Sequence, residues 1–565
     1  MKTIRKSAIL FLGLAALGLS SCSNAAFDKY PSDTMQMENY GRDDSEVLNI
    51  LLDSYYYLRE VSNRVILVNG LATDEAYDFK RNNSNDHIRL NESTWDATLG
   101  MTSELWAYCF NMINRCNTVI ERLDNVSEAN RTQYEGEALF FRAYAYFTLV
   151  RLYGAVPVTT SVISDYTTLY SYGRTPVDEV YTRIEQDLAQ AIEYLPETYD
   201  YSANPSMRGR VTRIAAWTML ADVQMTQGNF GDAKTTLENV IDYADANPGV
   251  LGLESDVADI YDSNNPIGKE IILAAQYNNG STIVENDLMT RCVPLGVPNE
   301  QPAYVYPDGT PSSITVAEVG NSTFVMTWAL WNKLRESAEG GTDDRLTKLA
   351  YAGIYDTQST SNASDEVDVL TIENTDPETG EVTSTTHACM PTSLKYFDFA
   401  CESTGISRSS NDNIIYRYGG VLLMYAECLN ETGQSGDLGD AMAYVNLIRE
   451  RANAEPVSAG SQEDIRLAIE NENLLELNFE GHRWFNLVRT GRITPVMVEH
   501  FAHRTPGLSA IHQADENGMT VTDASATSAS AQVHWKWENS SADVLFAIPY
   551  DQIQLTNWEQ NEIYQ

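Results

Sequence analysis

Residues 134–153 read YEGEALFFRAYAYFTLVRLY, and from Ala138 onward the apolar side chains run nearly all the way round a helical wheel. A helix with one apolar stripe can lie on a protein surface; one that is apolar on all sides must be covered on several. The chain therefore has to surround this helix with others. Gly154 stops it and Pro157 prevents its resumption. Helical periodicity supplies the neighbours. Residues 44–60 place Val47, Leu51, Tyr55 and Leu58 on one face, and residues 103–123 stack Trp106, Phe110, Ile113, Asn117 and Ile120. Thr175-Pro176 opens a further helix that runs to Leu195, where Pro196 follows.

Two later segments carry a helix–turn–helix pattern. In 212–242, Trp217, Leu220 and Ala221 are followed by Gly228, Phe230, Ala233, Leu237 and Val240. A second copy has Leu422, Tyr425, Ala426, Leu429 and Gly433, then Ala441, Val445 and Ile448. Small alanines let paired helices approach, and each glycine can end the first helix in a left-handed conformation. The offsets resemble the tetratricopeptide repeat, and 134–195 reads as a third, looser copy. Helix pairs bury their inner faces only by stacking. The expected fold is mainly α: a tetratricopeptide-like helical spine wrapped by a loop-rich region with a few short strands.

The loop-rich region is residues 250–410, dense in Gly, Pro, Asn, Ser and Thr. Glu270 to Tyr277 reads as a short buried strand and Phe324 to Leu334 as a helix. Val369 to Asn374 and Glu381 to Thr386 read as a hairpin. Residues 70–100 and 498–540 are also irregular. Long loops on a helical frame point to function.

The first 21 residues read MKTIRKSAILFLGLAALGLSS, a basic start followed by an apolar run too short to span a bilayer. Leu19-Ser20-Ser21-Cys22 resembles a bacterial lipobox, so Cys22 is the expected acylation site. Six cysteines remain after Cys22: too few for a disulfide scaffold, and without zinc-ligand spacing. Cys389 and Cys401 flank a loop-like segment and could pair. The net charge of −41 excludes a basic nucleic-acid footprint along the chain and disfavours contact with an anionic membrane surface.

The ordered motifs resemble those of the SusD/RagB outer-membrane lipoproteins of the Bacteroidetes, nearly end to end. They include Phe27–Pro31, Ile113-Asn114-Arg115-Cys116-Asn117 and Phe141-Arg142-Ala143-Tyr144. Arg151-Leu152-Tyr153-Gly154-Ala155-Val156-Pro157, Gly209-Arg210-Val211-Thr212, Ile415-Tyr416-Arg417 and Leu423-Met424-Tyr425-Ala426-Glu427 follow. The series closes with Glu476 to Phe485, Leu487-Val488-Arg489 and Leu545-Phe546-Ala547-Ile548-Pro549. Asn486 stands where the family usually has Asp, and Asn471 to Asn473 weaken a usual Glu-Arg pair. The resemblance implies a lipid-anchored protein of the outer membrane, facing the exterior, that is not an enzyme and needs no cofactor. It implies capture of oligosaccharides and their delivery to a SusC-like TonB-dependent transporter. Peptide capture is the alternative, and a secreted glycoside hydrolase a more distant one.

The implied organisation is a signal peptide at 1–21, a lipidated tether at 22–41, a helical part at 42–249, the ligand-binding loops at 250–410 and a C-terminal helical part at 411–565. A sugar site needs flat apolar faces with polar groups at their edges. Loop-borne candidates are Tyr77, Asn91, Trp95 and Asp96 in one region, and Tyr277, Tyr304 and Tyr306 in another, with Trp328 and Trp331 behind them. Trp95 is expected to stack on a sugar ring, with Asn91 or Asp96 bonding its hydroxyls. Trp106, Trp217 and Trp484 are assigned to packing. Glu427, Glu476 and Glu480 could suggest hydrolytic carboxylates, but ion pairs with Arg417, Arg483 or Arg489 are the favoured account. His482, with no second histidine at ligand spacing, reads as a structural residue paired with a nearby acid.

Overall fold

The computed structural model describes residues 40–78, 85–91, 93–163, 168, 171–201, 203–278, 284–292, 321–354, 368–375, 382–398, 409–433, 437–502, 512–515, 518–521 and 544–565, with side chains outside 351–390 and 501–521. The described residues contain sixteen α-helices and a few short strands. The N-terminal helices are α1 (Asp44–Leu71), α2 (Asn85–Asn91), α3 (Gly100–Glu121), α4 (Glu128–Tyr153) and α5 (Val177–Tyr194). Asp43 caps α1 by accepting from the Glu46 amide, and the Glu46 carboxylate accepts from the amides of Gly41 and Arg42. The first bond satisfies an otherwise orphaned donor of the helix's first turn, and the others tie the two residues before the cap to the helix.

Helix α4 is the apolar one, and it is buried on nearly every side from Tyr134 to Tyr153. It packs against α3 and α5. Its one buried arginine, Arg142, grips Asp187 of α5 through two bonds of 2.7 and 2.8 Å and donates to Asn117 of α3 at 2.9 Å. Gly154 ends the helix at φ +72°, a region that favours glycine.

The two helix pairs follow as expected. Helices α6 (Arg213–Thr226) and α7 (Phe230–Ala246) pack together, as do α11 (Tyr418–Thr432) and α12 (Asp437–Arg451). Gly228 and Gly433 both have positive φ, and Gly433 caps α11 in the left-handed region. Between the pairs run β2 (Ile271–Ala275) and the loop-rich part. Strand β2 pairs antiparallel with β7 (Asn413–Arg417). The expected hairpin is present as β5 (Asp368–Thr375) against β6 (Val382–Ser393), with β4 (Ala350–Ile354) on the other edge of β6.

One element differs from expectation. The Phe324–Leu334 segment is first a strand, β3 (Val325–Met326), and only then a helix, α9 (Trp328–Ser337). Thr327 makes the break: its hydroxyl accepts from the Leu330 amide as the helix cap, and its own amide reaches back to Glu75 O.

The C-terminal motifs form α13 (Gln462–Leu477) and α14 (Arg483–Arg489). They meet the loop-rich part in a buried ionic cluster of five carboxylates, Glu270, Asp343, Glu472, Glu476 and Glu480, and five cations, Arg345, Lys395, Arg417, Arg449 and Arg451. Arg417 bonds Glu270, Glu476 and Glu480 at 2.7–3.1 Å. Lys395 donates to Glu480 and to the carbonyls of Glu476 and Asn478. Burial alone would raise the carboxylates of Glu476 and Glu480, but the surrounding cations prevail and hold both well below the ordinary range.

Candidate functional site

Strand β1 (Ala76–Tyr77) pairs with β3, Ala76 opposite Met326 and Tyr77 opposite Val325. This two-stranded sheet joins the two loop regions from which the sequence candidates were drawn. Beside it opens a cavity of about 360 Å³ lined by Arg64 and Leu67 of α1, Asp86 and His87 of α2, Met101 and Glu104 of α3, and Arg291, Asn321 and Thr323 from the loop-rich part. The size suits a small ligand.

Arg64, Glu104 and Arg291 of its wall belong to a polar chain that is completed by Asn63 and Asp287, which do not line the cavity. Glu104 accepts from Arg64 at 2.6 Å, Arg64 donates to Asn63 at 3.0 Å, and Asn63 donates to Asp287 at 3.0 Å. Arg291 closes the chain on Asp287 at 2.8 and 3.0 Å. Burial works against the Arg64 charge, yet the Glu104 contact wins and holds the guanidinium above its ordinary value. Burial likewise opposes ionisation of Asp287, but Arg291 overcomes it and lowers that carboxyl. Asp86 accepts from the Met101 amide at 2.8 Å in the first turn of α3, and His87 Nδ1 sits 2.7 Å from Asp78. The site offers fixed donors and acceptors side by side, which suits a ligand dense in hydroxyls.

Several sequence candidates prove to be buried rather than open to a ligand. Trp95 is only 2% exposed. Its ring packs 5.7 Å from Trp484 and 5.1 Å from Phe546, and Nε1 donates to the Tyr564 hydroxyl at 2.8 Å. A ring so enclosed has no face to offer a sugar, so its stacking role is replaced by a core role. Asn91 is also buried: it accepts from the Asp78 amide and donates to the carbonyls of Leu71 and Ala76, pinning the loop that carries β1. That replaces its expected bond to sugar hydroxyls. Tyr77 is buried in β1. Asp96 is exposed but accepts from Arg89 and Thr98, and it does not line the cavity.

Tyr277 is half-buried, and its hydroxyl accepts from Asn413 at 3.1 Å. Trp328 is buried and Trp331 half-buried, 6.4 Å apart edge to face. Trp106 and Trp484 are buried, while Trp217 is half-buried against the α6–α7 core. Cys22, Tyr304, Tyr306, Cys401 and the terminal segment 1–39 lie outside the described residues. The arginines and acids of the cavity wall escaped the sequence reading because they sit on helices, where charged residues ordinarily mark a solvated face.

The three suspect glutamates are in ion pairs. Glu427 holds Arg489 at 2.5 and 2.7 Å, and Glu476 and Glu480 hold Arg417, while Arg483 turns instead to Asp74 at 2.8 Å. Asn486 accepts from Arg489 at 3.1 Å. Burial lowers the His482 pKa, with Glu480 and Asp222 opposing. A second cavity of about 400 Å³ lies among Leu467, Leu474, Leu477 and Leu487, with Glu75 on its wall. Glu75 is buried; one carboxylate oxygen accepts from the Phe479 amide at 2.5 Å and the other has no partner among the described residues. Burial raises its pKa to about 7.

Residues 28–225 match a family profile described as SusD-like, starch-binding and associating with the outer membrane, and residues 300–564 match the SusD family profile. SusD-like protein P2 of Formosa agariphila is 27% identical over 501 residues, covering 86% of this chain and 91% of that protein. A SusD homologue from Bacteroides thetaiotaomicron superposes with a TM-score of 0.68 at 20% identity, covering 93% of this chain and 98% of that one. A laminarin-binding SusD-like protein gives 0.65 at 21% identity, with 92% and 99% covered. No described helix is long and apolar enough to cross a membrane. Two matching profiles that together span most of the sequence, on a fold shared along nearly its whole length, place this chain in the SusD family of glycan-binding, outer-membrane-associated proteins.

Proposed function

We propose that the protein is a non-catalytic capture protein for a neutral oligosaccharide, held at the cell exterior by acyl chains on Cys22, that passes its ligand to a SusC-like TonB-dependent transporter. The observation that carries the ligand reading is the open cavity beside the β1–β3 sheet, whose wall holds Arg64, Glu104 and Arg291 together with Asp86, His87, Asn321 and Thr323. Seven polar or charged side chains against only Leu67 and Met101 suit the hydroxyls of a sugar better than an apolar side chain of a peptide. The unlipidated protein should be retarded on affinity gels containing starch, laminarin, xylan or mannan, and should release no new reducing ends from the retained polymer. New reducing ends would establish a hydrolase; retention of peptides alone would establish peptide capture.

A further inference from the structure

Arg291, Asn321 and Thr323 enter the cavity wall together because two backbone bonds join their segments. The Asn321 amide donates to Thr290 O at 2.9 Å and the Phe324 amide to Arg291 O at 3.0 Å, which fastens residues 321–324 along the short helix α8 (Leu288–Cys292). Between Asn321 and Thr323 the chain passes through Ser322 at φ +53°, a left-handed conformation that is costly for a residue other than glycine. Ser322 is fully buried, so its surroundings enforce the turn. Strain of that kind collects where a fold has to aim a side chain.

The side chain so aimed is Asn321. An amide presents an oxygen on one side and an NH2 on the other, and its neighbours decide which faces outward. The backbone N–H of Thr323 can only donate, and it reaches Asn321 Oδ1 at 3.2 Å; the Thr323 hydroxyl donates to the same oxygen at 2.7 Å. Both bonds hold the oxygen back on its own turn. Asn321 is half-buried on the cavity wall, and its Nδ2 has no hydrogen-bond partner among the described residues. Neighbouring donors are more nearly spent. Arg64 gives Nε to Glu104 and Nη1 to Asn63, and Arg291 gives Nε and Nη2 to Asp287. A neutral amide fixed in one flip bonds only an oxygen that stands in line with its N–H.

Resting on the glycan-binding reading above, we infer that Asn321 is a specificity-determining residue of the cavity: its Nδ2 donates to one hydroxyl oxygen of the bound sugar, and the site thereby tells apart sugars that differ at the carbon bearing that oxygen. An epimer that swings the oxygen away, or a deoxy sugar that lacks it, leaves the amide without its bond. The hydroxyl keeps its own proton for a carboxylate of the same wall, Asp86 or Glu104.

The probe is the shortest oligosaccharide that binds, cut from whichever polymer of the gel panel is retained, together with its singly deoxygenated analogues. Calorimetric titration of the wild type should find a position at which deoxygenation weakens binding roughly tenfold, the size of one lost hydrogen bond. Asn321→Ala should weaken the parent by the same factor, and deoxygenation at that position should then cost nothing further, while the penalties at other positions stay as they were. Asn321→Ser keeps an oxygen that can accept from the Thr323 amide but presents no NH2, so it should give the same pattern. Thermal melts of both variants should match the wild type. A residue that only holds the turn would instead weaken every analogue by one common factor and leave each deoxygenation penalty in place. That outcome, an unchanged parent affinity in both variants, or a melting midpoint lowered in both would overturn the assignment while leaving the capture reading intact. A wild type that retains no polymer overturns both readings.

Discussion

Replacing Arg417 with methionine should destabilise the protein by ~3–5 kcal/mol, the usual consequence of removing one partner from a buried ion pair. The guanidinium is 1% exposed as a side chain and places all three of its nitrogens against acceptors: Nε on Glu480, Nη1 on Glu270 and Glu476, Nη2 on Glu480 and the Glu476 carbonyl. With methionine there, three buried carboxylates share fewer cations. Glu270 keeps Arg451, Glu476 keeps Arg345 and Arg451, and Glu480 keeps Lys395. That residual pairing argues for the lower half of the range. Lysine at 417 should not rescue, because one ammonium cannot span acceptors arranged around a planar fork. The control is Arg466→Met, which removes a pair with Glu431 from a side chain 42% exposed. It should change stability by no more than ~1 kcal/mol. Urea unfolding followed by tryptophan fluorescence measures all three variants. If Arg417→Met and Arg466→Met shift the midpoint equally, the ionic cluster is not what joins the loop-rich part to the spine.

Trp95→Ala should lower stability by ~3–5 kcal/mol, as expected for a large buried ring; a mutant that melts like the wild type but binds glycan poorly would restore the stacking role. Glu75 makes a pH prediction of defined sign. Its folded pKa is raised from 4.5 to about 7, so the folded state holds the proton more tightly than the unfolded one. Its contribution is most favourable below pH 4.5 and is lost as pH rises towards 7, by about 3 kcal/mol in all. Glu75→Gln should remove that slope, making the variant more stable relative to wild type at pH 8 than at pH 5; parallel stability–pH curves for the two proteins would refute it.

The helical frame was legible because its signals are local. The apolar circumference of 138–153, the glycines at 154, 228 and 433, and the alanines at 221, 233 and 441 each act within a turn or a helix pair. Trp95 was misplaced for the opposite reason. Its partners Trp484, Phe546 and Tyr564 lie hundreds of residues away, so an aromatic in an Asn-rich loop looked unclaimed. Arg64, Glu104 and Arg291 were passed over because a charge on an amphipathic helix has the same local pattern whether it faces water or a cavity. Thr327 shows the limit within one segment: periodicity found the helix that it caps, but not the strand before it, whose partner is Ala76-Tyr77.

Strands β2 and β7 are hydrogen-bonded neighbours, so the chain that leaves at 276 comes back at 412 only ~5 Å away. Such a doorway is what a domain insertion requires. The entropy of closing a loop rises by only ~0.6 kcal/mol for each doubling of its length. With the strand pair holding the two ends, loops within the span can lengthen at little cost so long as Asp343, Arg345 and Lys395 keep their places in the ionic cluster and β3 its pairing with β1. In evolutionary terms that span is a moored insert: its loops are free to vary in length between fixed anchor points, while the anchors themselves are bound to the spine.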